Sequence, residues 1–245
     1  MVSVLTDLVF PRACASCGLS LSGKDPLYFC PGCLEALLSS DGAIRCPRCG
    51  LGADKHVAVI GSCTYCRGRN FQFDRAVAVG RYEGALRELL LRFKFGKERF
   101  LGRALAELLQ FRLLKENALE SVDVILPVPL HFWRRFSRGF NQAELIARRV
   151  AEVSKIPFLP GLLVRKKNTP SQTMLPRRLR LQGLRRAFAA KSRERVRGRH
   201  LLLVDDVLTT GTTASACARV LKVAGARRVT VAVIARTDLD QENFV

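Results

Sequence analysis

Residues 205–213 read DDVLTTGTT, two adjacent carboxylates followed by four threonines around one glycine. Carboxylates repel anions, whereas hydroxyls and free backbone N–H groups attract them. The two halves of the stretch therefore suit opposite ends of one ligand. Thr209, Thr210, Thr212 and Thr213 can surround a phosphate, and Gly211 lets the main chain come close to it. Asp205 and Asp206 can accept hydrogen bonds from a vicinal diol, or hold a divalent cation through oxygen. A phosphate with a diol one sugar-length away describes a ribose 5-phosphate. No Gly-Lys-Ser/Thr follows the glycine, which excludes a Walker A loop, and a GxGxxG fingerprint is missing.

A second constellation lies near the N-terminus. Eight of the nine cysteines fall in four CxxC pairs: Cys14/Cys17, Cys30/Cys33, Cys46/Cys49 and Cys63/Cys66. The gaps between pairs are 12, 12 and 13 residues. Each CxxC turn puts two thiolates on one side of a metal, and two turns complete a tetrahedral zinc site. Gly18, Gly32, Gly50, Pro31 and Pro47 supply the tight turns. Two structural zinc ions are the expected count. Near-equal gaps do not settle which pairs combine, and sequential pairing is our choice. Arg12, Arg45, Arg48 and Arg67 can offset the charge of the thiolates. The ninth, Cys217, reads as a small core residue.

Both constellations need elements to place them. The apolar run before Asp205 predicts a strand buried on both faces over 200–206, and TASACARVLKVAG (213–225) predicts a helix closed by Gly225. The acidic pair thus falls at the carboxyl end of a strand, where open α/β sheets bind ligands. Further strands are expected at 75–82, 122–129 and 227–235, with helices at 83–95, 99–115 and 141–155. RGRNFQFDR (67–75) reads as a linker between a zinc module over 1–70 and a sheet domain over 71–245. The basic stretch 163–188 shows no period.

Composition narrows the function classes. Of 245 residues, 48% are hydrophobic, which excludes wholesale disorder. No apolar run approaches the ~18 residues that span a bilayer. MVSVLTDLVF lacks a basic start and carries Asp7, which argues against a secretory signal and for a cytoplasmic protein. The formal charge is +20, and residues 131–200 hold 19 basic but three acidic residues. So concentrated an excess predicts a polyanionic partner, a nucleic acid or a phosphorylated small molecule.

LLLVDDVLTTGTT resembles the 5-phosphoribosyl-1-pyrophosphate (PRPP) motif of type I phosphoribosyltransferases. That resemblance implies that Asp205 and Asp206 hold the ribose hydroxyls, with Mg²⁺ present, and that residues 209–213 hold the 5′-phosphate. The whole chain also resembles the ComF/GntX family: the CxxC pairs, RYEGALRELLLRFKFG (81–96), ILPVPL (125–130), RGFNQAELIA (138–147) and RRAFAA (185–190) follow its pattern in order. It implies an α/β fold, a type I phosphoribosyltransferase-like parallel sheet preceded by a cysteine-rich double zinc ribbon. It also implies a link to DNA uptake in natural competence, with a helicase partner. In phosphoribosyltransferases a loop at the position of ILPVPL grips pyrophosphate through backbone groups. Val128, Pro129 and Leu130 are the candidates here, unless these prolines simply bound a rigid turn. Arg134, Arg135 and Arg138 follow as bidentate partners for pyrophosphate. Asn141 either contacts ligand or caps its helix.

Two departures limit the carry-over. Gly183 stands where the ComF pattern has Asn. Thr209 stands where purine-salvage relatives carry an acidic candidate base, and a hydroxyl cannot act as a base near neutral pH. No catalytic residue is therefore assigned. An alternative function is non-catalytic binding of single-stranded DNA. HFWRRFSRGF (131–140) interleaves aromatics with arginines as stacking platforms do. Phe132, Trp133, Arg177, Arg178 and Arg180 are the candidates, while Phe136 and Phe140 serve equally as a face packed on the zinc module.

Overall fold

The computed structural model describes residues 13–21, 28–39, 45–52, 63–66, 69–96, 98–130, 139–166 and 187–237. Its centre is a four-stranded parallel sheet. The strands are β1 (Arg75–Arg81), β2 (Val124–Pro127), β5 (His200–Leu208) and β6 (Arg228–Arg236), in the order β1-β6-β5-β2. The registers Val204↔Ala232 and Pro127↔Val204 align the carboxyl ends of β2, β5 and β6. β3 (Leu163–Arg165) and β4 (Phe188–Ala190) form a separate antiparallel pair.

Alternation along the strands feeds two cores. Val77, Val79, Leu202, Val204, Ala232 and Ile234 point to one face. It is covered by α2 (Gly84–Phe95), α3 (Leu101–Lys115) and α4 (Gln142–Ser154). Ala76, Ala78, Leu201, Leu203, Val231 and Val233 point to the other, under α5 (Thr212–Val223) and the β3–β4 pair. Helical spacing chose the buried side of α2: Leu86, Leu89, Leu90 and Phe93 are all buried. Gly225 follows α5 with φ +98°, a conformation that favours glycine.

Strand and helix positions agree with the expectations to within two residues at most ends. Three features differ. Residues Pro31–Ser39 form a helix, α1, that the cysteine pattern obscured. The ends of the stretch expected to be aperiodic pair as β3 and β4, three residues each, too short to show alternation. The expected linker is a packed seam: Phe71 and Phe73 are buried and stacked at 4.8 Å. Their burial couples the cysteine-rich part to the sheet instead of spacing it away. Phe140, read from the sequence as one of a face packed on the zinc module, has its ring against Phe93 of α2, at 5.5 Å between ring centres.

The cysteine-rich segments straddle the β1 edge. Cys14, Ala15, Phe29, Cys30 and Leu37 join the first core, while Cys46, Cys49, Cys63 and Cys66 join the second. The edge itself is capped: Ala76 N–H donates to Arg48 O at 2.9 Å, and Arg45 donates to the carbonyls of Ala78 (2.8 Å) and Val79 (2.9 Å). Gly50 is required here, since a Cβ would stand 2.9 Å from Ala76 O. An open parallel edge would otherwise invite pairing with another chain. Among the described residues no helix is long and apolar enough to cross a membrane.

Candidate functional site

The eight cysteines gather as two clusters of four. Cys14, Cys17, Cys30 and Cys33 form one and Cys46, Cys49, Cys63 and Cys66 the other, with sulfurs within 4.8 Å of one another. This is the sequential arrangement. Sulfur–sulfur distances are 3.8 Å for Cys17–Cys30, 3.8 Å for Cys46–Cys66 and 3.5 Å for Cys49–Cys63. A tetrahedron of thiolates about 2.3 Å from zinc has edges of about 3.8 Å. The clusters thus have the size a zinc ion requires. Their electrostatics point the same way. Burial, with the neighbouring thiols, pushes Cys66 up to about 12 and Cys49 further. Cys14 overcomes burial through the N–H groups of Cys17, Cys30 and Ser16 and falls to about 6. Four thiolates this close need a cation to share.

The second site lies at the carboxyl ends of β5 and β2. Burial, then the charge of Asp206, raise the Asp205 carboxyl well above the ordinary carboxylate range, because like charges on adjacent residues disfavour double ionisation. Asp205 Oδ1 accepts from Asp206 N–H at 2.9 Å and Asp206 Oδ1 from Val207 N–H at 2.6 Å. These local bonds fix both side chains. Lys94, at the end of α2, reaches Asp206 Oδ2 at 2.9 Å. Sequence reasoning missed Lys94. It sits on a largely buried flank of an amphipathic helix, and the apolar period of RFKFG gives no sign of a carboxylate partner so distant in sequence.

Beyond Asp206 the chain turns through Thr209–Gly211 into α5. Gly211 has φ +76° and caps the helix. A Cβ there would stand 2.7 Å from the Phe71 ring, so the seam requires this glycine. Thr210 and Thr212 hydroxyls bond each other at 2.8 Å, and the side chains of Thr212 and Thr213 are half-buried while Thr209 is exposed. Beneath the turn, buried Arg236 donates to the carbonyls of Leu208 (2.7 Å) and Thr209. Tyr65, from the CTYC pair, donates to Thr210 O at 3.2 Å. Neither residue had a sequence signal linking it to the turn, since both contacts span large separations.

The loop after β2 narrows in the same way. Val128 N–H is committed to Val204 O at 2.8 Å, and Asn141 Nδ2 donates to Val128 O at 3.2 Å. Pro129 has no N–H. Of the three candidates, Leu130 alone can offer a main-chain donor. Asn141 also caps α4 by accepting from Ala143 N–H at 3.1 Å, so it fixes helix and loop together. Cys217 is fully buried in α5, as a core residue. Phe132, Trp133, Arg134, Arg135, Phe136, Arg138, Arg177, Arg178, Arg180 and Gly183 lie outside the described residues, as do Arg12 and Arg67.

Comparison with known proteins matches residues 101–243 to the phosphoribosyl transferase domain family. Competence protein F of Haemophilus influenzae is 32% identical over 211 residues, 84% of this chain and 90% of the relative. DNA utilization protein YhgH of Salmonella typhimurium is 32% identical over 233 residues, 94% of this chain and 99% of the relative. Competence protein ComFC of Streptococcus pneumoniae is 28% identical over 200 residues, covering 82% and 77%. A parallel sheet ending in an acidic pair and a threonine turn, two four-cysteine clusters, and these matches over most of the chain establish that it belongs to the ComF family, built on a phosphoribosyl transferase domain.

Proposed function

We propose that the chain binds PRPP or ribose 5-phosphate with Mg²⁺, in the service of DNA uptake or utilization. One observation carries this reading: an acidic pair and an anion-attracting turn lie within nine residues at the end of one buried strand. Thr209–Thr213 and the start of α5 offer N–H groups and hydroxyls to a 5′-phosphate. Asp205 and Asp206 would accept the ribose hydroxyls. Their oxygens are hard donors of the sort Mg²⁺ takes, so they would hold the ion together with ligand oxygens, and it would supply positive charge at the pyrophosphate. Leu130 and the arginines after it would face that group. Each four-cysteine cluster would hold one structural zinc. We take 1–70 as the cysteine-rich module and 71–245 as the transferase domain. Transfer to an acceptor has no base assigned among these residues.

The test is a crystal structure after soaking with ribose 5-phosphate and Mg²⁺. The phosphate is expected in the 209–213 turn and the 2′,3′-diol at Asp205 and Asp206. Density elsewhere, or none, overturns the reading.

A second reading rests on the net +16 over residues 131–200, more than one pyrophosphate needs. Single-stranded DNA would bind along Trp133, Phe132, Arg177, Arg178 and Arg180, and a helicase partner on the cysteine-rich module fits either reading. Anisotropy of a labelled oligonucleotide should then fall off with salt, at a slope of about −0.7 per phosphate neutralised. Absence of binding at low salt ends this reading.

A further inference from the structure

We infer that Tyr65 and Arg236 are positioning residues for the phosphate turn, which makes the second cysteine cluster a working part of the ligand site. This rests on the proposed phosphate site and deepens it. Three consecutive carbonyls, of Leu208, Thr209 and Thr210, are drawn to one side of the turn. Arg236 Nη1 takes the first two and Tyr65 Oη the third. The two side chains form one unit, with the Arg236 guanidinium 4.6 Å from the Tyr65 ring centre. Arg69 covers the ring at 4.0 Å, and its Nη1 donates to Tyr65 Oη at 2.9 Å. Arg69 donating to the phenol leaves its proton free for Thr210 O, so the relay has one direction.

The consequence follows from peptide geometry. In a trans peptide, C=O and the next N–H point opposite ways. Pinning the carbonyls of 208, 209 and 210 therefore turns the N–H groups of Thr209, Thr210 and Gly211 to the far side. Among the described residues, no acceptor takes these three N–H groups. Successive N–H groups aimed at one point make an anion-binding concavity. The hydroxyl pattern in the sequence marked the phosphate turn, but this clamp is what aims its main chain.

Arg236 adds an independent observation. It is 1% exposed, and among the described residues its Nε and Nη2 have no hydrogen-bond partner. No carboxylate pairs with it among the described residues. A buried, incompletely paired cation is costly. Placed behind peptide dipoles whose positive ends face outward, it favours a dianion on the other side of the turn. Tyr65 stands between two ligands of the second cluster, Cys63 and Cys66, in a single 3₁₀ turn. Ordering of that cluster therefore sets where the phenol stands.

The experiment is calorimetric titration of PRPP, ribose 5-phosphate and Mg²⁺-pyrophosphate into the full chain and into Tyr65→Phe, with zinc content and melting temperature measured on both. Losing one hydrogen bond should weaken PRPP and ribose 5-phosphate by on the order of tenfold. Mg²⁺-pyrophosphate, which does not use the turn, should bind unchanged, with zinc and melting temperature as in the wild type. Equal affinity of both proteins for ribose 5-phosphate overturns the inference. So does a loss shared equally by pyrophosphate, the mark of a general structural defect. Should Tyr65→Phe lose zinc, Arg69→Ala, which touches the relay from outside the cluster, decides by the same ratio. If the wild type binds neither sugar phosphate, the ribose 5-phosphate reading itself falls and this inference falls with it.

Discussion

Lys94 Nζ stands 2.9 Å from Asp206 Oδ2, with both side chains less than a fifth exposed. One helix thus supplies a cation to the acidic pair at the carboxyl end of β5. The pair would otherwise face its own repulsion with little water to screen it.

Replacing Lys94 by Gln should have two opposite effects on ligands. Mg²⁺ alone should bind more tightly, because a competing cation is gone. Ribose 5-phosphate without metal should bind more weakly, because an attractive charge is gone. The apo protein should lose about 1–2 kcal/mol, between the values for exposed and buried pairs. Calorimetry and urea unfolding check these signs, and an increase in both affinities would contradict them.

Asp205→Asn should stabilise the apo protein near neutral pH while weakening diol binding on the order of tenfold or more. The sign follows from the raised Asp205 carboxyl. Its neutral form favours the folded state below the unfolded carboxylate value of about 4, and that contribution is lost as pH rises through the folded value. Asparagine is neutral throughout, so the advantage of the variant should grow with pH. Thermal melts across a pH series read it; a variant less stable than wild type at pH 7 would refute it.

Asp74 should behave in the opposite sense. Burial opposes its ionisation, but the Lys222 ammonium, at 2.7 Å, and Val229 N–H, also at 2.7 Å, outweigh it and lower the carboxyl. Stability from this group is present above the ordinary carboxylate value and lost as pH falls through the lowered one. Asp74→Asn should cost under about 1 kcal/mol, since the pair is well exposed to solvent, and should flatten the acid limb of the stability profile.

Much of this arrangement is legible in the chain. The strand before Asp205 is apolar on both faces, α2 repeats its leucines at helical spacing, and the CxxC spacing defines four thiol pairs. Those are local signals. What stayed hidden depends on partners distant in sequence. Arg236 stands just past the strand expected at 227–235, Tyr65 is an unassigned position within CTYC, and Lys94 lies in a helix marked by its apolar period. Phe71 and Phe73 look like a linker because two buried aromatics give no period. Asn141, readable as cap or ligand contact, caps α4 and also holds the Val128 carbonyl, a contact its local sequence does not announce.

Metal removal should show that the cysteine clusters serve the sheet. Structural zinc contributes on the order of 10 kcal/mol of folding free energy. Metal analysis should give two zinc per chain, and chelation should lower the melting temperature steeply. Losing the second cluster should also uncap the β1 edge that Arg45 and Arg48 protect, so aggregation should follow. An undisturbed melt after complete chelation would contradict this.

The most direct measurement is calorimetric titration of PRPP with Mg²⁺ into the wild type and into the double variant Asp205→Asn, Asp206→Asn. Wild type should bind, with affinity dependent on the metal. The double variant should keep its fold and its zinc but lose that binding, at about 1.5–3 kcal/mol per charged hydrogen bond removed. Equal PRPP affinity in the two proteins would show that the acidic pair at the end of β5 holds no ribose.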